Sequence, residues 1–337
     1  MRLIATEEAF APREYIEEYL KLTATVDTPV TRYLAIYYKQ AAFVQQLTDL
    51  DFRIAEMNEH GVDMHLLSIT GPGVQAFEAK LGTELATIAN DTLAAAIRRH
   101  PKRFAGLGAI APQDPEAAAR ELKRCVGELG LGGTIINSHT HGEYLDNPKF
   151  WPIFEAAVET DTPIYLHPSF APDNILPAYA DYGMMGALWG FGADCSLHIV
   201  RMIMGGVFDA FPTLKIVVGH LGEALPFWLG RLDNRYQNIV RRGGLGGPLG
   251  MREMGRLPSQ CFRENFWLTT SGMMTNAPLQ FCLDMMGDDR LLFAIDYPYE
   301  QTAEAVPFIR NAPLQDATMR KICHENAEKL FRIAPQG

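Results

Sequence analysis

The chain has 337 residues with 30 Lys and Arg against 40 Asp and Glu, a formal charge of −10. That balance excludes a nucleic-acid binder, which needs a clustered cationic surface. With 47% hydrophobic and 21% charged residues it is also not a disordered chain. MRLIATEEAF has the pattern of neither a signal nor a transit peptide. No apolar run reaches the length of about 18 residues expected of a membrane span. The cysteines 125, 195, 261, 282 and 323 are odd in number and scattered, which predicts reduced thiols in a cytoplasmic protein.

Eight short apolar runs follow in order: Leu3–Thr6, Met64–Ser68, Phe104–Ala109, Gly133–Ile136, Ile164–Leu166, Ile216–Val218, Phe266–Thr269 and Leu291–Ala294. Each is continuous rather than alternating, as expected of parallel strands covered on both faces. Helical patterns lie between them. Asp114-Pro115-Glu116 supplies an N-cap, a first-position proline and an early carboxylate, and Gly130–Gly133 stops the helix that follows. Repeated strand–helix alternation predicts an α/β fold of right-handed crossovers, and eight units favour a (β/α)8 TIM barrel over an open sheet. The whole chain, 1–337, reads as one such domain with insertions at about 11–60 and 168–215, after strands one and five. Insertions there fall on the catalytic face. The glycine-rich stretch Arg242–Gly250 reads as a flexible loop, because it lacks the strand-then-helix setting of a phosphate loop.

Polar residues gather at the carboxyl ends of the strands: Glu7 and Glu8, Thr70, Asn137 with His139, His167, His220 with Glu223, and Asp296. That rim is where barrel active sites are built. Imidazole and carboxylate together suit Zn, Mn, Fe or Mg, in an open catalytic site rather than a closed, cysteine-rich one. Only one of the adjacent Glu7 and Glu8 should point inward, because strand side chains alternate.

The segments IATEEAFA, NSHTHGEYLD, IYLHPS, VVGHLGEALPFWLGRLD and FAIDYPYE resemble the decarboxylase branch of the amidohydrolase superfamily, from about residue 2 to 331. Within it the likeness is strongest to the 5-carboxyvanillate decarboxylases, and extends to the gamma-resorcylate and 2,3-dihydroxybenzoate decarboxylases. The resemblance implies one divalent metal on Glu7, His167 and Asp296; so oxygen-rich a shell puts manganese first, with zinc or magnesium as alternatives. Glu7 and Ala9 stand where hydrolytic relatives carry two histidines, which argues against a binuclear hydrolase. The resemblance also implies that His220 sits beside the substrate with Glu223 orienting it, and that Arg231 contacts substrate oxygens; Asp296, a ligand that substrate can displace, is the candidate proton donor. Thr70, Asn137, His139, Phe191 and Tyr299 are implied as the pocket wall. Where the family pattern calls for a further arginine this chain has Tyr38, beside Lys39, which could substitute as a point charge. The implied reaction is non-oxidative loss of CO2 from an ortho-hydroxy aromatic acid such as 5-carboxyvanillate or a dihydroxybenzoate. A metal-dependent lactonase or hydratase is the alternative on the same barrel. The expected partner is a small aromatic acid, with no nucleic acid and no membrane. The insertions and the apolar residues of 179–195 suggest a homodimer or homotetramer.

Overall fold

The computed structural model describes residues 1–246 and 250–335. Among the described residues nine strands run parallel: β1 (Ile4–Phe10), β2 (Met64–Ile69), β3 (Phe104–Gly106), β4 (Gly108–Ala109), β5 (Thr134–Asn137), β6 (Ile164–His167), β7 (Ile216–Val218), β8 (Phe266–Thr269) and β9 (Leu291–Leu292). They form a three-stranded sheet, β1-β2-β3, and a six-stranded sheet, β4 to β9 in order. Backbone hydrogen bonds run across both seams. At one seam the Leu107 N–H donates to Leu67 O, and the Gly108 N–H to Gly133 O, both at 2.9 Å. At the other the Thr6 N–H reaches Phe293 O at 3.1 Å and the Ala9 N–H reaches Tyr297 O at 2.9 Å. The architecture is a (β/α)8 barrel.

The expected third strand, Phe104–Ala109, is thus two strands that part at Leu107. The physical reason lies in its glycines. A β-carbon on Gly106 would stand 2.6 Å from Leu93 Cδ2, and one on Gly108 would stand 2.4 Å from Cys125 Sγ. Their absence lets the helices Ala79–Arg99 and Pro115–Gly127 settle directly on the barrel wall. The second of these helices begins as its sequence dictates, with the Asp114 carboxylate accepting from the Ala117 N–H at 3.0 Å and Pro115 at the first position.

β1 is longer than its apolar run and carries an irregularity between Ala5 and Glu8, where its register on β2 shifts. Such bulges re-aim side chains, and this one lies at Glu7. Four helices fill the segment after β1, at Arg13–Thr25, Pro29–Tyr38, Ala41–Thr48 and Leu50–His60. After β6 the chain makes two short 3-10 turns, then the helices Gly190–Gly205 and Val207–Ala210. Both segments reach the rim at the strands' carboxyl ends. Within the glycine-rich stretch expected to be a loop, residues 247–249 lie outside the described residues, while Gly246 and Met251 pair across it. All five cysteines are buried and free. Among the described residues, no helix is long and apolar enough to cross a membrane.

Candidate active site

β1, β6 and the segment after β9 bring Glu7, His167 and Asp296 together, with one donor atom from each within 4.8 Å of the others. The Glu7 side chain is buried, and its Oε2 accepts from the Thr269 hydroxyl at 2.8 Å and from the Ser271 hydroxyl. Its Oε1 has no hydrogen-bond partner and faces His167 Nε2 at 3.6 Å. The His167 Nδ1–H donates to Pro168 O at 2.8 Å, so the lone pair lies on Nε2, toward Glu7. Gly219 clears the space behind the carboxylate, since a β-carbon there would stand 2.7 Å from Glu7 Oε1. A buried carboxylate oxygen without a donor is costly unless a cation meets it. One imidazole and two carboxylates, preorganised around that oxygen, fit a divalent ion of the Mn, Zn or Mg kind.

Asp296 is held in the left-handed region at φ 76, uncommon for a residue other than glycine. Its neighbours explain how it stays there. The Ile295 N–H donates to Glu8 Oε1 at 3.0 Å and the Tyr297 N–H donates to Glu8 Oε2 at 3.1 Å. Glu8 therefore points away from Glu7 and grips the segment that carries Asp296. Behind it lies Arg53, fully buried, donating to Ala9 O and Gln46 O at 2.7 Å and lying 4.2 Å from the centre of the Tyr297 ring. Burial pushes the Glu8 acid up to about 8 against the pull of the two N–H groups and Arg53.

His220 completes the floor. Its Nδ1–H donates to Glu223 Oε1 at 2.8 Å, its Nε2 lies 3.6 Å from Asp296 Oδ2, and its backbone N–H donates to Ser271 Oγ at 3.0 Å. Burial opposes its charge, but the facing carboxylates of Glu223, Glu7 and Asp296 outweigh that and hold it well above the usual imidazole range. Burial likewise raises Glu7, yet His220, His167 and hydroxyl hydrogen bonds bring it below the usual carboxylate range. Asp296 goes the other way: burial lifts it, the charge of Glu7 adds to that, and His220 and His167 only partly offset it.

The triad opens into a cavity of about 710 Å³, within the range for small-molecule sites. Tyr33 and Tyr37 come from the first insertion, and Phe170, Trp189 and Phe191 from the second. Phe191 and Tyr299 line it, and Thr70 stands one layer behind, its hydroxyl 2.7 Å from that of Tyr299. Other wall candidates do not reach the cavity. Asn137 is buried behind Gly71, and a β-carbon on Gly71 would meet Asn137 Oδ1 at 3.6 Å. The His139 ring is spent on the backbone: Nδ1 accepts from the Gly142 N–H at 3.1 Å and the Nε2–H donates to Phe170 O at 2.8 Å. Arg231 is exposed on the helix Leu225–Arg241 and does not line the cavity of its own chain. Lys39 is exposed as well, and the Tyr38 hydroxyl donates to Gly71 O at 2.7 Å, so neither offers charge to the pocket. Sequence reasoning missed Thr269, Ser271, Glu300 and Trp189. The TSG after β8 was a visible rim signal for Ser271, whereas an aromatic in an insertion carries no comparable mark.

The amidohydrolase family profile matches residues 43–333. The chain belongs to the amidohydrolase family. Among relatives of this amidohydrolase, the gamma-resorcylate decarboxylase of Polaromonas sp. is 34% identical, the match covering 98% of each chain. The solved 5-carboxyvanillate decarboxylase from Sphingomonas paucimobilis is 44% identical with a TM-score of 0.94, covering 99% of each chain. The 5-carboxyvanillate decarboxylase from Novosphingobium aromaticivorans, solved with manganese and 4-hydroxy-3-methoxy-5-nitrobenzoic acid, is 41% identical with a TM-score of 0.92, covering 98% of this chain and 96% of that one.

Proposed function

We propose that this amidohydrolase is a metal-dependent carboxy-lyase that removes CO2, without redox change, from ortho-hydroxy aromatic carboxylic acids of the 5-carboxyvanillate and dihydroxybenzoate kind. The observation that carries this reading is the Glu7–His167–Asp296 triad, with Glu7 buried and its Oε1 without a hydrogen-bond partner, at the floor of an aromatic-walled cavity. Glu7, His167 and Asp296 would hold a divalent ion, manganese first, which would supply Lewis-acid charge to the substrate's oxygens.

The protein's own groups do the rest. Loss of CO2 leaves an electron pair on the ring, so the carbon bearing the carboxylate must first take a proton. Asp296, at the cavity floor with its Oδ2 3.6 Å from His220 Nε2, is the donor. Once that carbon is protonated, its bond to the carboxylate breaks, the bonding pair restores the aromatic ring, CO2 departs and Asp296 is left ionised. His220, aimed by Glu223, polarises the phenolic oxygen. The aromatic wall excludes water, which strengthens each of these charges.

The proposal extends to assembly and place. Leu188, Trp189, Phe227 and Trp228 are exposed, and three of them also line the cavity. Apolar surface of this kind fits a contact between copies in a homodimer or homotetramer. Arg231, on the same helix as Phe227 and Trp228, would meet a substrate only from a neighbouring copy. We treat residues 1–337 as one functional unit, and five buried thiols suit the reducing cytoplasm.

The test is metal analysis of the purified protein, followed by CO2 detection and ultraviolet spectra on ortho-hydroxy aromatic acids and lactones. Release of CO2, with a loss of about 10³-fold in Asp296→Asn, supports the reading. Addition of water without CO2 overturns it in favour of hydrolase or hydratase chemistry.

A further inference from the structure

Five consecutive residues, His220 to Ala224, stand in the left-handed region, at φ 51, 53, 79, 53 and 61. Four of the five carry a β-carbon, which this conformation disfavours, and a run of it persists only where the surroundings impose it. The run carries the His220–Glu223 pair, so whatever imposes it also sets the aim of the imidazole.

The two ends of the run are held by hydroxyls from different parts of the chain. At the start, the His220 N–H donates to Ser271 Oγ at 3.0 Å. At the end, the Ser196 hydroxyl lies 2.6 Å from both Glu223 O and Gly192 O, so its proton bridges a carbonyl of the turn and a carbonyl of the helix Gly190–Gly205. Gly192 lets that helix come close, since a β-carbon there would stand 2.8 Å from Glu223 Oε2. The helix is itself fixed to the barrel. Asp194 Oδ2 accepts from the Ser138 hydroxyl at 2.8 Å, Asp194 Oδ1 accepts from that of Tyr144 at 2.5 Å, and His198 Nε2 accepts the Leu145 N–H at 2.9 Å. Its first turn presents Phe191 to the cavity wall, and its second turn reaches the floor through Ser196.

We propose that Ser196 is a positioning residue: its hydroxyl holds the end of the left-handed turn and thereby keeps the Glu223 carboxylate on His220 Nδ1. Without the hydroxyl, the Glu223 carbonyl loses that donor and the end of the turn relaxes toward ordinary backbone, which carries the carboxylate away from the ring. On the decarboxylase reading, the loss falls on the chemical step, because the aromatic wall that meets the substrate ring stays in place.

A spectroscopic readout separates this inference from the reading on which it rests. In zinc-loaded protein labelled with nitrogen-15 histidine, an imidazole N–H held by a buried carboxylate exchanges slowly with water and gives a downfield proton resonance, assigned to His220 by its absence in His220→Gln. Ser196→Ala should abolish that resonance while the other histidine resonances and the zinc content match the parent. In manganese-loaded enzyme the same variant should lower kcat by about ten-fold or more with KM changed by less than about two-fold. Ser196→Thr keeps the hydroxyl and should restore both the resonance and kcat. If Ser196→Ala does not fold, Ser196→Cys fills the same space with a weaker donor and should lose the resonance in the same way. An unchanged His220 resonance, an unchanged kcat in an enzyme that releases CO2, or a loss that Ser196→Thr does not restore overturns the proposal. If no acid loses CO2, the decarboxylase reading falls, and the resonance alone decides the role of Ser196.

Discussion

Glu8 holds Asp296 without touching it: its two carboxylate oxygens accept the N–H groups of Ile295 and Tyr297, the residues on either side. One strand therefore carries both a proposed metal ligand, Glu7, and the clamp that fixes another.

Removal of that clamp should cost both stability and metal. Glu8→Ala leaves two buried N–H groups without acceptors and opens a void in front of the fully buried Arg53. The expected loss is about 3–5 kcal/mol in denaturant unfolding. Glu8→Gln keeps one acceptor oxygen and should fold. Its manganese content, measured by mass spectrometry after dialysis, should still fall below that of the parent, because the Tyr297 or Ile295 N–H then meets an amide N–H and Asp296 loses its fixed backbone.

A methyl group at residue 219 probes the other side of the site. In Gly219→Ala the new β-carbon stands 2.7 Å from Glu7 Oε1, so the carboxylate must turn. Manganese affinity should drop by about ten-fold or more with little change in Tm; metal titration followed by activity reads the first and thermal unfolding the second.

Buried neutral histidines set an acid limit. Burial holds His198 down to about 3, from an ordinary 6.5, while its Nε2 accepts the Leu145 N–H at 2.9 Å. Burial holds His65 well below its ordinary value too. For a depressed histidine the stability is fully present above 6.5 and is lost as pH falls toward the folded value. Each such group contributes up to about 1.4 kcal/mol per pH unit, so His198 alone removes about 2 kcal/mol by about pH 5. Glu8 runs the other way, since its raised acid form gives stability below 4.5 that fades as pH rises through about 8. The comparison that isolates the histidine is the difference in unfolding free energy between about pH 7 and 5 in the parent and in His198→Asn, which should have the smaller dependence attributable to this site.

Charge on the exposed aromatic patch should alter assembly. Phe227 is 73% exposed and packs at 5.8 Å on Trp228, which lines the cavity. Phe227→Glu should lower the mass seen by light scattering to that of a smaller species, with the far-ultraviolet spectrum unchanged. An unchanged mass would remove this patch as the contact.

The barrel was legible because both faces of each strand are covered, which leaves short continuous apolar runs. The meeting of Glu7, His167 and Asp296 was legible because each stands at a strand end inside a long motif. His139 and Arg231 stand in equally good motifs yet do not line the cavity, because a motif marks a position in the fold and not the direction of a side chain. His139 has both ring nitrogens taken by Gly142 and Phe170, and Arg231 projects from a helix into solvent. The break at Leu107 needed the packing of Leu93 and Cys125, whose helices flank this strand in the sequence but whose approach to its glycines is set by the folded barrel. Ser271 needed only the turn after β8, where a hydroxyl can reach back to Glu7.

Tyr33 meets both ends of the cavity roof. Its ring lies 5.3 Å from Phe170, and a β-carbon on Gly186 would stand 2.5 Å from its hydroxyl. The roof is thus an arch of two stretches separated by more than a hundred residues, leaning on each other above a floor that neither supplies. Selection can redraw the arch while the floor stays untouched, so a lineage could trade one aromatic acid for another by drift in its surface helices, and descendants with the same ligands need not share a diet.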